Sequence, residues 1–265
     1  MLDVSAYLAA LVVLLLASVA GWLFGVVRKN VTIVDSLWAL FFLLAALTTA
    51  TLTPQPGPRA SLIIVLVAVW AMRLSGYLTW RNWGKPEDHR YQEIRRRNEP
   101  GFTFKSLYLV FALQAVLAWI IAAPLAAGIS GQAPLGLLDY AGVALWVFGF
   151  LFETIGDWQL ARFKANPDNH GKVMDRGLWR FTRHPNYFGE ACLWWGYWLI
   201  AASAGGWWTL FAPLLMSVLL LKVSGVALLE KDIGERRPAY RDYIARTNAF
   251  FPGPRRSVEA EKEIA

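Results

Sequence analysis

Cysteine, histidine and charged residues are all scarce in this sequence. One cysteine among 265 residues excludes an intrachain disulfide and a cysteine-based metal site. The three histidines lack the mutual spacing of zinc ligands, so we expect no metal centre. No Gly-x-Gly-x-x-Gly follows a predicted strand and no Walker motif occurs, which excludes a Rossmann module and a P-loop. Only 17% of the residues are charged, well below the ~25% of soluble domains.

Long hydrophobic runs dominate the chain, 56% of which is hydrophobic. Several runs approach the ~20 residues needed to cross a bilayer. We therefore predict an all-α, multi-pass integral membrane protein whose residues 1–265 form one membrane-embedded domain. The first run opens with Asp3 and lacks a basic leader region and a cleavage site, so we take it as a permanent span. The predicted spans cover roughly residues 4–27, 31–52, 60–80, 106–127, 136–160, 185–203 and 207–229. The fourth of them is expected to be broken or bent near Pro124.

Basic residues are concentrated in alternate connections between these spans. Most of them lie in residues 28–30, 81–105 and 162–183 and in the C-terminal tail. The other connections contain only Arg59. The positive-inside rule then gives seven spans, with the N-terminus outside and the C-terminus and basic loops in the cytoplasm. Six spans would place the basic loops on opposite sides. We expect a monomer embedded in lipid, in a bacterial inner membrane, that binds no nucleic acid.

Polar chemistry is densest at residues 183–190, at the mouth of the sixth predicted span. Pro185 suits the first turn of a helix, where its missing N–H costs nothing. A helix that starts there places Asn186 and Glu190 on one face. Glu190 then lies about one turn inside the apolar region, where an unpaired ionisable group is expensive. Together with Arg183 and His184, these residues indicate a site for a polar ligand.

The basic loops and the third span allow two interpretations each. Interleaved Asn, Asp and Tyr residues favour a cytoplasm-facing site for a large anionic ligand, because arginine and lysine bind phosphates well. The alternative for the loops is membrane topology together with contact to anionic lipid headgroups. In the third span Arg73 and Tyr77 share one face. They either line a cavity, or Arg73 extends to the interface.

Acidic residues near the ends of the spans are equally open to two interpretations. Asp35, about one turn into the second span, is either a desolvated group that donates or relays a proton, or a partner of the basic residues just before it. Glu153 and Asp157 either pair with nearby cations or bind ligand hydroxyls. The amphipathic segment at residues 236–243 either lies on the membrane surface or folds over the site as a lid.

Three segments resemble the steroid 5α-reductase family, in its bacterial membrane branch of 3-oxo-5-alpha-steroid 4-dehydrogenase-like proteins. They are residues 81–91, residues 177–190 and the tail at residues 230–251, within what corresponds to the family's C-terminal domain. The His-Pro-Asn-Tyr-x-Gly-Glu element at residues 184–190 is also similar to one in isoprenylcysteine carboxyl methyltransferases, which bind S-adenosylmethionine. Residues 81–91 favour the reductase branch.

The resemblance implies seven membrane helices that hold NADPH in a cytoplasm-facing cavity. It also implies hydride transfer to the β-carbon of an enone such as a 3-oxo-Δ4-steroid. Asp35 falls near the family's acidic catalytic position, and Tyr77, or Trp70 in its place, falls near the position that polarises the carbonyl. The implied cofactor positions are Arg73, Lys85, Arg90, Tyr91, Arg95, Asp157, Lys164, Asn166, Arg183, His184, Asn186, Tyr187, Glu190, Glu230 and Tyr240.

We therefore predict NADPH-dependent reduction of a conjugated C=C bond in a hydrophobic, steroid-like or lipid enone, with the carbonyl polarised by a protein acid. The basic loops agree with this prediction, because they suit the pyrophosphate and the 2′-phosphate of NADPH. Two alternatives remain open. One is an S-adenosylmethionine-dependent methyltransferase on a similar scaffold, and the other is a non-catalytic lipid- or sterol-binding membrane protein.

Overall fold

The computed structural model describes residues 2–223, 225–230, 233–236 and 238–256, and every regular element within them is helical. The all-α prediction is confirmed for this part of the chain. Some of the predicted features lie outside the described residues. These are Met1, Ser224 of the last predicted span, Lys231 and Asp232 at its end, Arg237 of the predicted amphipathic segment, and residues 257–265. The helices are α1 (Val4–Arg28), α2 (Ile33–Leu52), α3 (Ala60–Asn82), α4 (His89–Asn98), α5 (Phe102–Ile121), α6 (Ala123–Ser130), α7 (Leu137–Ala165), α8 (Pro185–Ser203), α9 (Trp207–Val223), α10 (Val226–Glu230), α11 (Ile233–Arg236) and α12 (Ala239–Arg246).

Five of the described helices, α1, α2, α3, α5 and α7, are long and apolar enough to cross a membrane. The chain is therefore a multi-pass membrane protein by length and composition of its helices. Helix α8 has 19 residues, but Asn186, Glu190 and its many Trp and Tyr residues lower its hydropathy below that of the five. Helix α9 is shorter. The count of seven spans and the orientation of the termini stay predictions.

The fourth predicted span is misplaced at both ends. Its helix, α5, begins at Phe102 and ends at Ile121, with a π-helical segment at Leu107–Ala112. Of the two alternatives at Pro124 the structure shows the break, because α6 starts with Pro124 in its first turn, where the absent N–H is tolerated. The predicted loop at residues 81–105 contains the polar helix α4, which has no hydropathy signal. Helix α7 likewise continues to Ala165, beyond the predicted apolar stretch.

The chain divides into two compact units, each built from separate parts of the sequence. The first comprises Met1–Asp139 and Trp198–Ala212, and the second comprises Tyr140–Tyr197 and Pro213–Ala265. In the first unit α2 packs against both α1 and α3. A hydrophobic cluster around Val34, Tyr91, Phe102 and Phe111 joins α2 to α4 and α5. The start of α2 is therefore part of the core of this unit.

Arg59, the exception to the alternating basic loops, is fully buried in the first unit. Its Nε and Nη2 donate to the two carboxylate oxygens of Asp139 at 2.6 and 2.7 Å. The guanidinium also donates to the carbonyls of Ala133 and Pro134 and to Ser203 Oγ. All of these partners surround the start of α3, so Arg59 holds the first unit together. A buried cation requires such pairing, which explains why this basic residue departs from the loop pattern.

In the second unit glycines allow α7 and α8 to approach closely. Gly149 and Gly156 of α7 are seven residues apart, as are Gly189 and Gly196 of α8. A Cβ atom on Gly189 would lie 2.5 Å from the backbone nitrogen of Glu153, and one on Gly149 would lie 2.5 Å from the carbonyl oxygen of Gly189. Such small-residue seams are typical of packed membrane helices. The seam fixes the first turns of α8 beside α7.

Candidate functional site

In the first unit the segment between α3 and α5 folds over the N-terminal end of α2. Asp88 caps α4 by accepting a hydrogen bond from the backbone N–H of Arg90 at 3.0 Å. The backbone N–H of Asp88 donates to Thr32 Oγ1 at 2.9 Å, and the backbone N–H of Val31 donates to Glu87 at 3.0 Å. These contacts lay α4 across the start of α2.

Asp35 lies beneath α4 and accepts two hydrogen bonds. Nη2 of Arg90 is 2.7 Å from one carboxylate oxygen, and the hydroxyl of Tyr91 is 2.5 Å from the other. Gln114 of α5 donates to the same hydroxyl at 3.2 Å. The partners of Asp35 are therefore residues of α4, rather than the basic residues that end α1. In this arrangement both side-chain oxygens of Asp35 accept hydrogen bonds from α4.

Burial and these charges shift the pKa values of the two α4 residues. Burial opposes the charge on Arg90, but the carboxylates of Asp35 and Asp88 outweigh it and raise the pKa of Arg90. Burial, assisted by the charge of Asp35, raises the pKa of Tyr91 well above its usual value. Tyr91 therefore stays protonated at neutral pH, and its hydroxyl donates a hydrogen bond to Asp35.

Arg95, another predicted cofactor ligand, is committed to a carboxylate of its own chain. Its Nε and Nη2 form a fork on the two oxygens of Glu87, at 2.9 and 2.8 Å. Burial opposes ionisation of Glu87, but Arg95 outweighs it, so the pKa of Glu87 is lowered. The guanidinium also lies 4.5 Å from the ring centroid of Phe102. Arg95 therefore fastens α4 to the loop before it and to α5.

The predicted residues of α3 occupy two environments. Trp70 is fully buried, with its ring centroid 5.7 Å from that of Phe42 in α2. Tyr77 is half-buried, and the guanidinium of Arg81 lies 5.8 Å from its ring centroid. Arg73, which lies between Trp70 and Tyr77 in the sequence, is half-buried. Tyr77 is therefore the more accessible of the two residues considered for the carbonyl-polarising position.

A pocket of about 190 Å³ lies where α1 and α3 end and α2 begins. Lys85, a predicted cofactor ligand, lines it together with Arg28, the last residue of α1. The backbone there is set by Lys29, whose left-handed φ of 50° ends α1, and by Asn30, whose side chain accepts the N–H of Thr32 at 2.9 Å. The pocket therefore combines cations with amide and hydroxyl groups.

In the second unit Arg183, His184 and Glu230 form one cluster. Arg183 donates from Nε and Nη2 to the two oxygens of Glu230, both at 2.7 Å. His184 Nε2 lies 2.8 Å from Oε1 of the same carboxylate. Burial opposes ionisation of Glu230, but the hydrogen bonds from Arg183 and His184 outweigh it and lower its pKa to about 2. Glu230 is therefore a carboxylate at any physiological pH.

The tail that contains α12 is strapped onto the segment before α8. We use the term C-terminal strap for residues 239–256. Arg183 donates to the carbonyls of Ile244 and Thr247, and its own N–H donates to Asn248 at 2.9 Å. The hydroxyl of Tyr243 donates to the carbonyl of Trp179 at 2.5 Å. The described part of the predicted lid is thus docked on residues 179–183.

The first turns of α8 carry three predicted residues. The ring of Tyr187 stacks on that of His184, with centroids 5.4 Å apart. Glu190, one turn further along, is buried. The side-chain oxygen of Asn186 is shielded from solvent and accepts no hydrogen bond from any described residue. A buried amide oxygen without a donor is costly, so it marks a position for a ligand N–H or O–H.

The remaining predicted cofactor residues lie elsewhere in the second unit. Asp157 is buried one turn beyond Glu153 in α7. Lys164 and Asn166 are exposed at the end of α7, where Asn166 caps the 3₁₀ turn Pro167–Asn169. Tyr240 packs edge-on against Tyr243 within α12. The structure therefore joins Arg183, His184, Tyr187 and Glu230 directly.

Comparison with known proteins identifies the family. A family model described as "Protein of unknown function (DUF1295)" matches residues 21–247. The chain belongs to the DUF1295 family. An uncharacterized protein of Schizosaccharomyces pombe is 27% identical to this DUF1295 chain over 272 residues, which cover 90% of the chain and 78% of the relative. No solved structure matches it.

The resemblance to steroid 5α-reductases is supported over part of this DUF1295 chain. The 3-oxo-5-alpha-steroid 4-dehydrogenase 1 of Bos taurus is 35% identical over 66 residues. That match covers 25% of the chain and 26% of the bovine enzyme. Relatedness to a steroid reductase therefore has direct support, while the substrate and the cofactor need a separate argument.

Several residues of these clusters escaped the sequence-based prediction. Gln114 and the carbonyls of the C-terminal strap carry no motif, because any residue supplies a carbonyl. Arg28, Asn82 and Trp83 come together only when α1 and α3 pack on α2. One signal was available: Asp88 directly precedes a polar segment, as an N-cap residue does. The seven-residue glycine spacing of α7 and α8 was another.

Proposed function

We propose that this DUF1295 protein is a membrane reductase that uses NADPH to reduce a conjugated C=C bond in a hydrophobic enone. The observation that carries the proposal is the partial similarity to the bovine 3-oxo-5-alpha-steroid 4-dehydrogenase 1. A 3-oxo steroid conjugated at the 4-position is accordingly the first substrate class to test. The apolar helices support the choice of a lipid-soluble substrate.

The residues at the mouth of α8 fit a nicotinamide cofactor. The unpaired oxygen of Asn186 would accept from a carboxamide N–H or a ribose hydroxyl. Tyr187, half-buried and stacked on His184, offers an aromatic face. Arg90, Arg95 and Arg183 fit less directly, because each is paired with a carboxylate of the protein.

Bound NADPH would supply the hydride. The protein's own task is to hold the enone and to stabilise negative charge that develops on its carbonyl oxygen. Because Asp35 accepts hydrogen bonds from both Arg90 and Tyr91, we propose that it positions α4 and that Tyr77 donates to the carbonyl. We further propose seven spans with the basic loops and the cofactor on the cytoplasmic side.

The proposal is tested on the detergent-purified full chain. Mass spectrometry of the nucleotide released on denaturation should find NADP(H), and a panel of enones should include compounds that accelerate NADPH consumption. Co-purified S-adenosylmethionine would instead identify a methyltransferase and refute the reductase. Neither nucleotide, with no enone-dependent NADPH consumption, would identify a non-catalytic binder.

Variants separate cofactor binding from chemistry. Asn186→Ala and Glu190→Ala should weaken NADPH binding while the thermal unfolding temperature stays near that of the wild type. Asn169→Ala serves as the matched control, because its amide donates to the carbonyl of Phe163 near the end of α7. Asp35→Asn and Tyr77→Phe should slow turnover while NADPH stays bound. Unchanged turnover in both would remove α2 and α3 from the chemistry.

A further inference from the structure

The pocket between α1, α2 and α3 has the composition of an anion site. Of the eleven described residues that line it, Arg28 and Lys85 are basic and none is acidic. Neither cation forms an ion pair with a described carboxylate, in contrast to Arg90 and Arg95 beside it. Both cations are exposed and line the same pocket, so a bound anion is attracted by two positive charges at once.

Neutral groups in the pocket also point to an acceptor ligand. The side-chain amide nitrogen of Asn82 is shielded from solvent and donates to no described residue. Its oxygen is already occupied by Arg81 at 3.1 Å, so the unused group is a donor. Thr32 and Ile33 place the N-terminal end of α2 in the same pocket. The N-terminus of a helix favours negative charge, which adds to the two cations.

The position of the pocket selects the kind of anion. Arg28 and Asn82 are the last residues of α1 and α3, two of the helices that can span a membrane. Their ends therefore lie at the level of lipid headgroups. Phe24, one turn back in α1, lines the pocket and is 43% exposed. The exposed ring of Trp83 lies 5.0 Å from the guanidinium of Arg28, as expected of an aromatic residue at the interface.

We propose that this pocket binds the phosphate group of an anionic phospholipid. Arg28, Lys85 and Asn82 hold the phosphate, and the glycerol and first acyl carbons follow Phe24 and Ile33 toward the bilayer. The volume of about 190 Å³ suits a headgroup, whereas whole cofactors occupy pockets of roughly 300–1,000 Å³. The proposal does not rest on the reductase function, because it needs neither a cofactor nor turnover.

The test measures lipid binding to the full chain in detergent by native mass spectrometry. Phosphatidylglycerol should bind more tightly than phosphatidylcholine of equal chain length and than diacylglycerol, which lacks phosphate. Arg28→Gln and Lys85→Gln should each weaken phosphatidylglycerol binding about fivefold, as expected for one basic residue near a membrane surface. Asn82→Asp keeps both cations and nearly the same shape, and should weaken binding at least as much.

Arg96→Gln is the matched control, because Arg96 is an exposed cation of α4 that does not line the pocket. It should leave phosphatidylglycerol binding unchanged. Equal weakening by all four substitutions would mean diffuse attraction and would overturn the proposal, as would unchanged binding in the three pocket variants. NADPH affinity is measured in parallel without lipid. If Arg28→Gln and Asn82→Asp lower NADPH affinity but not phosphatidylglycerol affinity, the phosphate belongs to the cofactor and the lipid assignment is refuted.

Discussion

Glu230→Gln should release the C-terminal strap from residues 179–183. The substitution keeps the shape of the side chain but removes the charge that pairs with Arg183 and His184. A pKa of about 2 in place of the usual 4.5 corresponds to about 3 kcal/mol, at about 1.36 kcal/mol for each pKa unit. The carboxylate is only 14% exposed, so little of this value is lost to solvent screening. Breaking a buried ion pair costs about 3–5 kcal/mol, in agreement.

Hydrogen exchange reports the opening of the strap directly. The N–H of Arg183 is protected by Asn248, and the N–H of Gly253 by Phe181. Both amides should exchange up to about 160-fold faster in the Glu230→Gln variant, the factor that about 3 kcal/mol provides. Glu235→Gln is the control, because it makes the same chemical change at an exposed position in α11. Equal protection of both amides in Glu230→Gln and wild type would refute the inference that Glu230 holds Arg183 against the strap.

The same pair predicts a pH dependence with a definite sign. The folded-state pKa of Glu230 is lowered, so its contribution is complete above pH 4.5 and is lost as the pH falls toward about 2. Protection of the strap amides, corrected for intrinsic exchange, should fall across this window in the wild type. The Glu230→Gln variant should lack this component. A wild-type profile that is flat from pH 5 to pH 2 would contradict the argument.

Two further substitutions test the packing of each unit through thermal unfolding in detergent. Gly189→Ala should destabilise the chain by about 1–3 kcal/mol, because its Cβ would lie 2.5 Å from the backbone nitrogen of Glu153. Gly76→Ala in α3 is the control. Its Cβ would meet nothing within 4 Å, so stability should be equal or higher. Arg59→Met should cost about 3–5 kcal/mol by leaving Asp139 buried without its partner, and the double variant Arg59→Met/Asp139→Leu should recover part of the loss. Additive losses in the double variant would show that the pair is not coupled.

The fold was predictable where a helix is apolar along most of its length. The bounds of α1, α2, α3 and α8 agree with the prediction within two residues at each end. Hydropathy did not predict α4, because this helix is polar along most of its length. It is helical because Asp88 caps it and Tyr91 packs in the hydrophobic core. It also misplaced the ends of α5, although a break near Pro124 was one of the two expected alternatives and α6 does start there. Local capping chemistry decides these boundaries.

The site was predictable in its residue types but not in its pairings. Residues 81–91 and 183–190 do carry polar clusters, as their composition indicated. A sequence cannot show that Arg90 faces Asp35, 55 positions away, or that Arg183 faces Glu230, 47 positions away. Both pairings depend on how a loop returns to a helix end. Arg90 and Arg183 each join two segments of the chain through these pairs. A cofactor that bound either residue would have to leave that pair intact.

Charge count alone therefore overstates how much of this protein's basic surface is available to an anion. Arg90, Arg95 and Arg183 each have a carboxylate partner within 3 Å, and a phosphate that displaced one of them would leave a half-buried carboxylate exposed to a negative charge. Arg28 and Lys85 carry no such cost among the described contacts. An incoming lipid phosphate should consequently prefer the pocket at the ends of α1 and α3 in the first unit. Substitutions there should alter anion binding more than substitution of the three paired arginines, which should alter stability first.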